Sequence, residues 1–181
     1  MVRFTADVTA IASSRSGDTV VAGCADFSVK VINTSSFSTV SLDGHSAPVL
    51  SVDLDSAGTT AVSSGCDGSV RVWSVEKKKQ VQCVEGCHPK PSDVPLSPSV
   101  AGARFSRDGA SLALAKCDTV LVLEREQGWD PARARRVCVG GGQGELLTCL
   151  DWAADARYIL AATNRVRQKC AELHNIGIKL V

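Results

Sequence analysis

An all-β chain of repeated four-stranded units is what this sequence predicts, on three observations. Segments rich in Val, Ile and Thr alternate apolar and polar residues at period two, the mark of half-buried strands. Short Gly and Asp turns ("RSGD", "SAG", "RDG", "AD") separate them. An aspartate turn recurs as well: Asp26 in "TVVAGCADFSVKVIN", Asp67 in "TTAVSSGCDGSVRVW" and Asp118 in "ASLALAKCDTVLVLE". Asn164 stands at the corresponding place in "DARYILAATN", and the separations are 41, 51 and 46 residues. The first lies within the period of roughly 40–45 residues of one four-stranded propeller blade, and the others need insertions. The fold class expected is an all-β, β-propeller fragment of about three and a half four-stranded blades.

The elements follow in order. Each unit opens on an alternating or apolar segment: "VTAIASS" (8–14), "PVLSVDLD" (48–55), "SVAGARFS" (99–106) and "LLTCLDWA" (146–153). A turn, a second strand, the aspartate turn and a third strand come next, and a fourth closes the unit, as in "KQVQCVEG" (79–86). The organisation expected is a blade over 1–46, a blade over 47–86, a Pro-rich loop over 87–98, a degenerate blade over 99–140, a partial blade over 145–164 and a divergent tail over 165–181. Pro89, Pro91, Pro95 and Pro98 place the loop, because proline removes a ladder donor and fixes φ. "EREQGWDPARARR" reads as a second, loop-like insertion. Helical periodicity is suggested only in the last fifteen residues.

Composition bounds the function. The chain has 181 residues, 44% apolar and 22% charged, enough for a packed core. A net charge of +1 makes no overall electrostatic case for nucleic acid or an acidic substrate. No apolar run has the length of a membrane helix, and "MVRFTADVTA" lacks the core of a signal peptide, so a soluble, non-secreted chain is expected. Eight cysteines then imply reduced thiols, not a disulfide framework.

One repeat is richer than its sisters. Gly44-His45 precede a strand, a turn, a strand bearing Ser63, the Asp67 turn and a strand bearing Trp73. That succession is the WD-repeat signature. It predicts a buried structural hydrogen-bond tetrad: Asp67 accepts from His45, His45 reaches Ser63, and Ser63 meets the Trp73 indole N–H. A buried chain with every member paired pins register, whereas an unpaired member costs about 1–3 kcal/mol. Asp26 and Asp118 are the corresponding blade-turn aspartates. The Trp position falls at Ile32 in the first copy and at Glu124 or a neighbour in the third, so only the second copy completes the set.

Ser63, His45 and Asp67 also invite a hydrolase reading, but the repeat needs all three for structure and no Gly-x-Ser-x-Gly elbow surrounds Ser63. No catalytic residue is expected. Cys83, Cys87 and His88 form a CxxxCH group without a second Cys/His pair, which favours a strand-end and a loop cysteine over zinc. Cys24, Cys66 and Cys117 each lie just before an aspartate turn, as small packing residues do. "GGGQG" (140–144) lacks the Lys-Ser/Thr of a phosphate loop and reads as a flexible connection. Lys77, Lys78 and Lys79, and Arg133, Arg135 and Arg136, read as solvated turn charges, without the interleaved aromatics of a nucleic-acid site. Neither cofactor, metal, membrane nor small-molecule substrate is expected.

"AGCADFSVKV" and "GHSAPVLSVDLDSAG…GCDGSVRVW", with "REQGWD" further on, resemble the N-terminal propeller of the WD-repeat and HMG-box DNA-binding protein family, the replisome adaptors. The likeness runs from about Arg3 to Thr163 and weakens through 80–145. The resemblance implies a nuclear scaffold that couples the replicative helicase to DNA polymerase α in DNA replication and associates with chromatin. It further implies that the chain enters its propeller at the third blade and lacks the second, trimerising propeller and the HMG box. Trimerisation, polymerase binding and box-mediated DNA binding therefore do not carry over to these residues. The break after "LAATN" points to a truncated or mispredicted gene product. The alternative is a WD-repeat scaffold of another pathway, such as a ubiquitin-ligase substrate receptor or a ribosome-assembly factor.

Overall fold

A computed structural model describes residues 3–85, 102–116, 119–138 and 147–163, and the backbone of 168–174 and 177–180. The described residues form four separate four-stranded antiparallel sheets. Blade 1 consists of β1 (Val8–Ser13), β2 (Thr19–Cys24), β3 (Val29–Asn33) and β4 (Thr39–Leu42). Blade 2 is β5 (Val49–Leu54), β6 (Thr60–Gly65), β7 (Val70–Ser74) and β8 (Lys79–Val84). Blade 3 is β9 (Ala103–Phe105), β10 (Ser111–Lys116), β11 (Thr119–Glu124) and β12 (Arg135–Cys138). Blade 4 is β13 (Leu147–Trp152), β14 (Tyr158–Thr163), β15 (Gln168–His174) and β16 (Gly177–Leu180). Strands pair in sequence order, as expected of a WD-repeat propeller fragment. No helix among the described residues is long and apolar enough to cross a membrane.

The chain divides into two compact units, Met1–Gly86 and Cys87–Val181. In the first, Val21, Val29 and Leu42 of blade 1 share a buried cluster with Val49, Val52, Leu54, Ala61 and Trp73 of blade 2. Gly23 makes the approach close: a Cβ there would lie 2.6 Å from Val49 Cγ1. The Thr9 hydroxyl, placed by a β-bulge between Val8 and Ala10, donates to the Val49 carbonyl at 2.6 Å. In the second unit, Ala113, Val120, Val122 and Val137 of blade 3 cluster with Leu147, Leu150, Ile159 and Ala161 of blade 4. There the Trp152 indole N–H donates to the Arg104 carbonyl at 2.8 Å.

The turns repeat as faithfully as the strands. Gly17, Gly58 and Gly109 adopt positive φ at matching places after the first strand of blades 1 to 3, and Ala156 (φ 58°) does so in blade 4.

One expectation needs correction. Among the described residues of the last fifteen there is no helix: β15 and β16 form there and complete a fourth sheet where a partial blade and a divergent tail were expected. Ladder bonds run between backbone groups, so a strand forms without the repeat's signature side chains. As expected of an insertion that is loop-like at its centre, "EREQGWDPARARR" connects β11 to β12 through two 3-10 turns, Arg125–Gln127 and Pro131–Arg133. Trp129 anchors it, packing edge-on against Phe105 with ring centroids 5.6 Å apart, while the Arg125 guanidinium sits 5.4 Å over the indole. The Pro-rich loop 87–98, Cys87, His88, Cys117, Asp118, the 140–144 glycines and Asn164 lie outside the described residues.

Candidate functional site

The Asp67 turn begins where β6 ends. The Gly68 N–H donates to the Gly65 carbonyl at 3.1 Å, and the Gly65 N–H donates to the Ser69 carbonyl at 3.1 Å. Gly68 holds φ 77°, so the chain turns through a left-handed residue into β7, a three-residue hairpin with a G1 bulge. Within this frame the Asp67 carboxylate accepts from the Ser69 N–H at 3.0 Å, the Ser69 hydroxyl at 2.8 Å and the Ser46 N–H at 3.0 Å. His45 Nδ1 lies 2.9 Å from Asp67 Oδ2, His45 Nε2 lies 2.7 Å from Ser63 Oγ, and the Trp73 indole N–H donates to Ser63 Oγ at 2.8 Å. His45, Ser63, Asp67 and Trp73 are thus brought into one continuous chain.

Chemistry assigns the protons. Burial by itself raises the Asp67 pKa, but the hydrogen bonds from Ser46, Ser69 and His45 outweigh it and bring it down to about 2. Asp67 is therefore an acceptor only, and His45 Nδ1 carries the proton. Burial also lowers the His45 pKa, against the opposing pull of Asp67, so the ring is neutral near pH 7. Nε2 then accepts from the Ser63 hydroxyl, and Ser63 Oγ accepts from the indole. The His45–Asp67 contact is a hydrogen bond with one ionised partner, not an ion pair.

The space is cut to fit. A Cβ on Gly65 would lie 2.6 Å from His45 Nδ1, and one on Gly44 would lie 3.0 Å from the Trp73 ring. Ser63 is 0% exposed and Trp73 1%. Arg71 closes the outer side, its Nε donating to Ser69 at 3.2 Å and Nη1 to Gln80 at 2.5 Å. Gly44 belongs to the Gly-His pair of the sequence signature, whereas Gly65 and Ser69 were missed, although the spacing Asp-x-Ser recurs in "DFS" and "DGS". Asp55 was also missed: it is 0% exposed and caps the turn after β5 by accepting from the Thr59 and Thr60 N–H groups at 2.7 and 3.1 Å.

Asp26 occupies the same turn in blade 1, accepting from the Ser28 N–H at 3.2 Å and its hydroxyl at 2.5 Å. The bond from the Ser28 hydroxyl holds its carboxyl below the ordinary range. Matching turn bonds align Phe4 with His45, Ala22 with Ser63 and Ile32 with Trp73. In blade 3 the pairing Leu112↔Leu123 corresponds to Ala61↔Trp73, so the Trp position is Leu123, the neighbour of Glu124. The cysteines before the turns do not share one register: Cys24 matches Gly65, while Cys66 lies one residue later. Burial pushes the Cys24, Cys66 and Cys83 thiols up, away from the nucleophilic thiolate. Among the described residues no group of three His, Cys, Asp or Glu is placed to hold a metal ion. Lys77, Lys78 and Lys79 are exposed at the β7–β8 turn, while Arg133 pairs with Asp130 and Arg135 with Glu124.

Sheets built this way, with an Asp-turn and a His–Ser–Trp chain in one of them, define a WD-repeat propeller domain. The sequence profile described as "WDHD1 first WD40 domain" matches residues 1–168, and the chain belongs to that family. It is 41% identical over 76 residues to "WD repeat and HMG-box DNA-binding protein 1" of Xenopus laevis, a stretch covering 41% of this chain and 7% of the relative. The proteins of the same name from Mus musculus and Homo sapiens are 37% identical over 76 residues, with the same coverage. The matched stretch is thus a small part of each of these longer proteins.

Proposed function

We propose that this chain is a non-catalytic WD-repeat scaffold of the replisome-adaptor kind, acting in the nucleus in DNA replication and chromatin association. The observation that supports it is the match of residues 1–168 to the first WD40 domain of this family. The His45–Ser63–Asp67–Trp73 chain serves structure: it spans β6, β7 and the linker before β5, and Trp73 belongs to the cluster shared with blade 1. A serine that is 0% exposed, donating to His45 and accepting from Trp73, has no face for a substrate. On this reading its partners are replisome proteins such as the replicative helicase and DNA polymerase α.

The test is recovery of partners from nuclear extract by a tagged chain containing residues 1–181 within its complete propeller. Enrichment of replication proteins supports the reading. Enrichment of ubiquitin-ligase or ribosome-assembly components in their place overturns it. Ester turnover that disappears in Ser63→Ala would overturn the non-catalytic role.

A further inference from the structure

The Asp26 and Asp67 turns share every backbone bond, yet their left-handed residue differs. In blade 2 it is Gly68, at φ 77°. In blade 1 it is Phe27, at φ 74°, with its N–H donating to the Cys24 carbonyl at 3.3 Å as Gly68 donates to Gly65. A bulky side chain at this φ strains the backbone, and glycine would relieve the strain. Phe27 is 42% exposed and makes no aromatic-ring contact among the described residues. Phe37, the other exposed phenylalanine at positive φ, sits in the β3–β4 turn, where blade 2 also holds a non-glycine residue, Lys78. Of these two phenylalanines, Phe27 is the one that stands where its counterpart shows glycine to be suited.

The surroundings give the anchor a charge. The Asp7 carbonyl accepts from the Ala25 N–H at 2.9 Å, bringing Asp7 beside the turn. Asp43 follows Leu42, the partner of Val29, at the same end of the sheet, and accepts from Ser41. Both aspartates are exposed, and neither makes an ion pair among the described residues. Lys30 is the cation on the adjoining strand, and its Nζ lies 3.9 Å from Asp26.

We propose that Phe27 is the aromatic anchor of a docking site for an extended peptide that places an aliphatic side chain on the ring and arginine or lysine residues against Asp7, Asp26 and Asp43. Strain retained at an exposed aromatic is a feature of binding sites, where stability is given up for recognition. The aspartates supply complementarity to a basic peptide. The site rests on the scaffold reading, but its test is separate: failure of the nuclear pull-down with retained peptide binding breaks that reading and leaves this one standing.

The experiment uses the full chain and a fluorescein-labelled peptide of alternating Leu and Arg flanked by Gly-Ser, read by anisotropy, with urea midpoints measured in parallel. Wild type is expected to bind, more weakly as salt is raised. Phe27→Gly should weaken binding at least about fivefold while leaving the urea midpoint unchanged or higher. Asp43→Asn should weaken binding at an unchanged midpoint, and the peptide with Glu in place of Arg should not bind. A lower midpoint in Phe27→Gly assigns the ring to packing and overturns the proposal, as does equal binding by that variant or by the Glu peptide. Absence of peptide binding together with Phe27-dependent self-association in light scattering assigns the anchor to a second copy and also overturns it.

Discussion

Asp26 and Asp67 occupy the same turn of neighbouring blades, yet the Asp26 side chain is 34% exposed and that of Asp67 7%. Both carboxylates accept from a serine two residues on, so that much belongs to the turn itself. What differs is the interior beneath. Blade 2 places His45, Ser63 and Trp73 there, and blade 1 places the buried Ala22 and Ile32, with a half-buried Phe4 at the position aligned with His45. A repeat can therefore keep its turn with either a satisfied polar chain or an apolar filling. Replacing every partner of a hydrogen bond by apolar groups is nearly neutral, whereas removing one leaves the others buried and unpaired. A half-converted blade is the unfavourable intermediate.

Asp67→Ala should show this most strongly. It removes the acceptor for the Ser46 and Ser69 N–H groups, the Ser69 hydroxyl and His45 at one stroke, and stability should fall by about 3 kcal/mol in urea unfolding. A loss no larger than that of Asp26→Ala would erase the distinction between the blades. Gly65→Ala comes next. Blade 1 tolerates Cys24 at this place because no histidine lies over it, but a Cβ in blade 2 meets His45 Nδ1 at 2.6 Å. The cost should be about 2 kcal/mol by the same measurement, and an unchanged midpoint would mean that His45 does not sit as described.

Acid should separate the blades third. The folded Asp67 pKa is about 2 against an ordinary 3.8, so its contribution is complete above about pH 4 and is lost as pH falls through 2. The folded His45 pKa is depressed below 6.5, chiefly by burial. An unfolded chain takes up that proton first, so His45 also costs stability as pH falls below 6.5. Urea midpoints at about pH 7.5 and about pH 5 should differ in wild type, and the difference should shrink in His45→Phe, which copies the Phe4 of blade 1. An equal pH dependence in the two proteins would remove His45 from the account. The smallest effect belongs to Asp26→Ala, whose carboxylate is partly solvated: less than about 1 kcal/mol.

Much of this was legible from the chain. The aspartate turns, the strands beside them and the four residues of the blade 2 chain follow from alternation and spacing, which are local properties of sequence. Less legible was the register of the degenerate blades. Leu123 rather than Glu124 stands in the Trp position, because pairing across β10 and β11 decides it and both residues suit a strand. Sequence gives no reason why Gly44 and Gly65 must be glycine, and only the approach of Trp73 and His45 shows that a Cβ is crowded there.

What the sequence by itself determined is the period, the all-β class and the identity of the polar chain, since each rests on side chains at fixed intervals. What only the tertiary structure decided is the register that sets Leu123 in the Trp position of blade 3, and that residues 168–174 and 177–180 complete a sheet. Those depend on backbone hydrogen bonds and on which faces meet. A β-ladder accepts almost any side chain, so its partners are chosen by geometry that no single strand records.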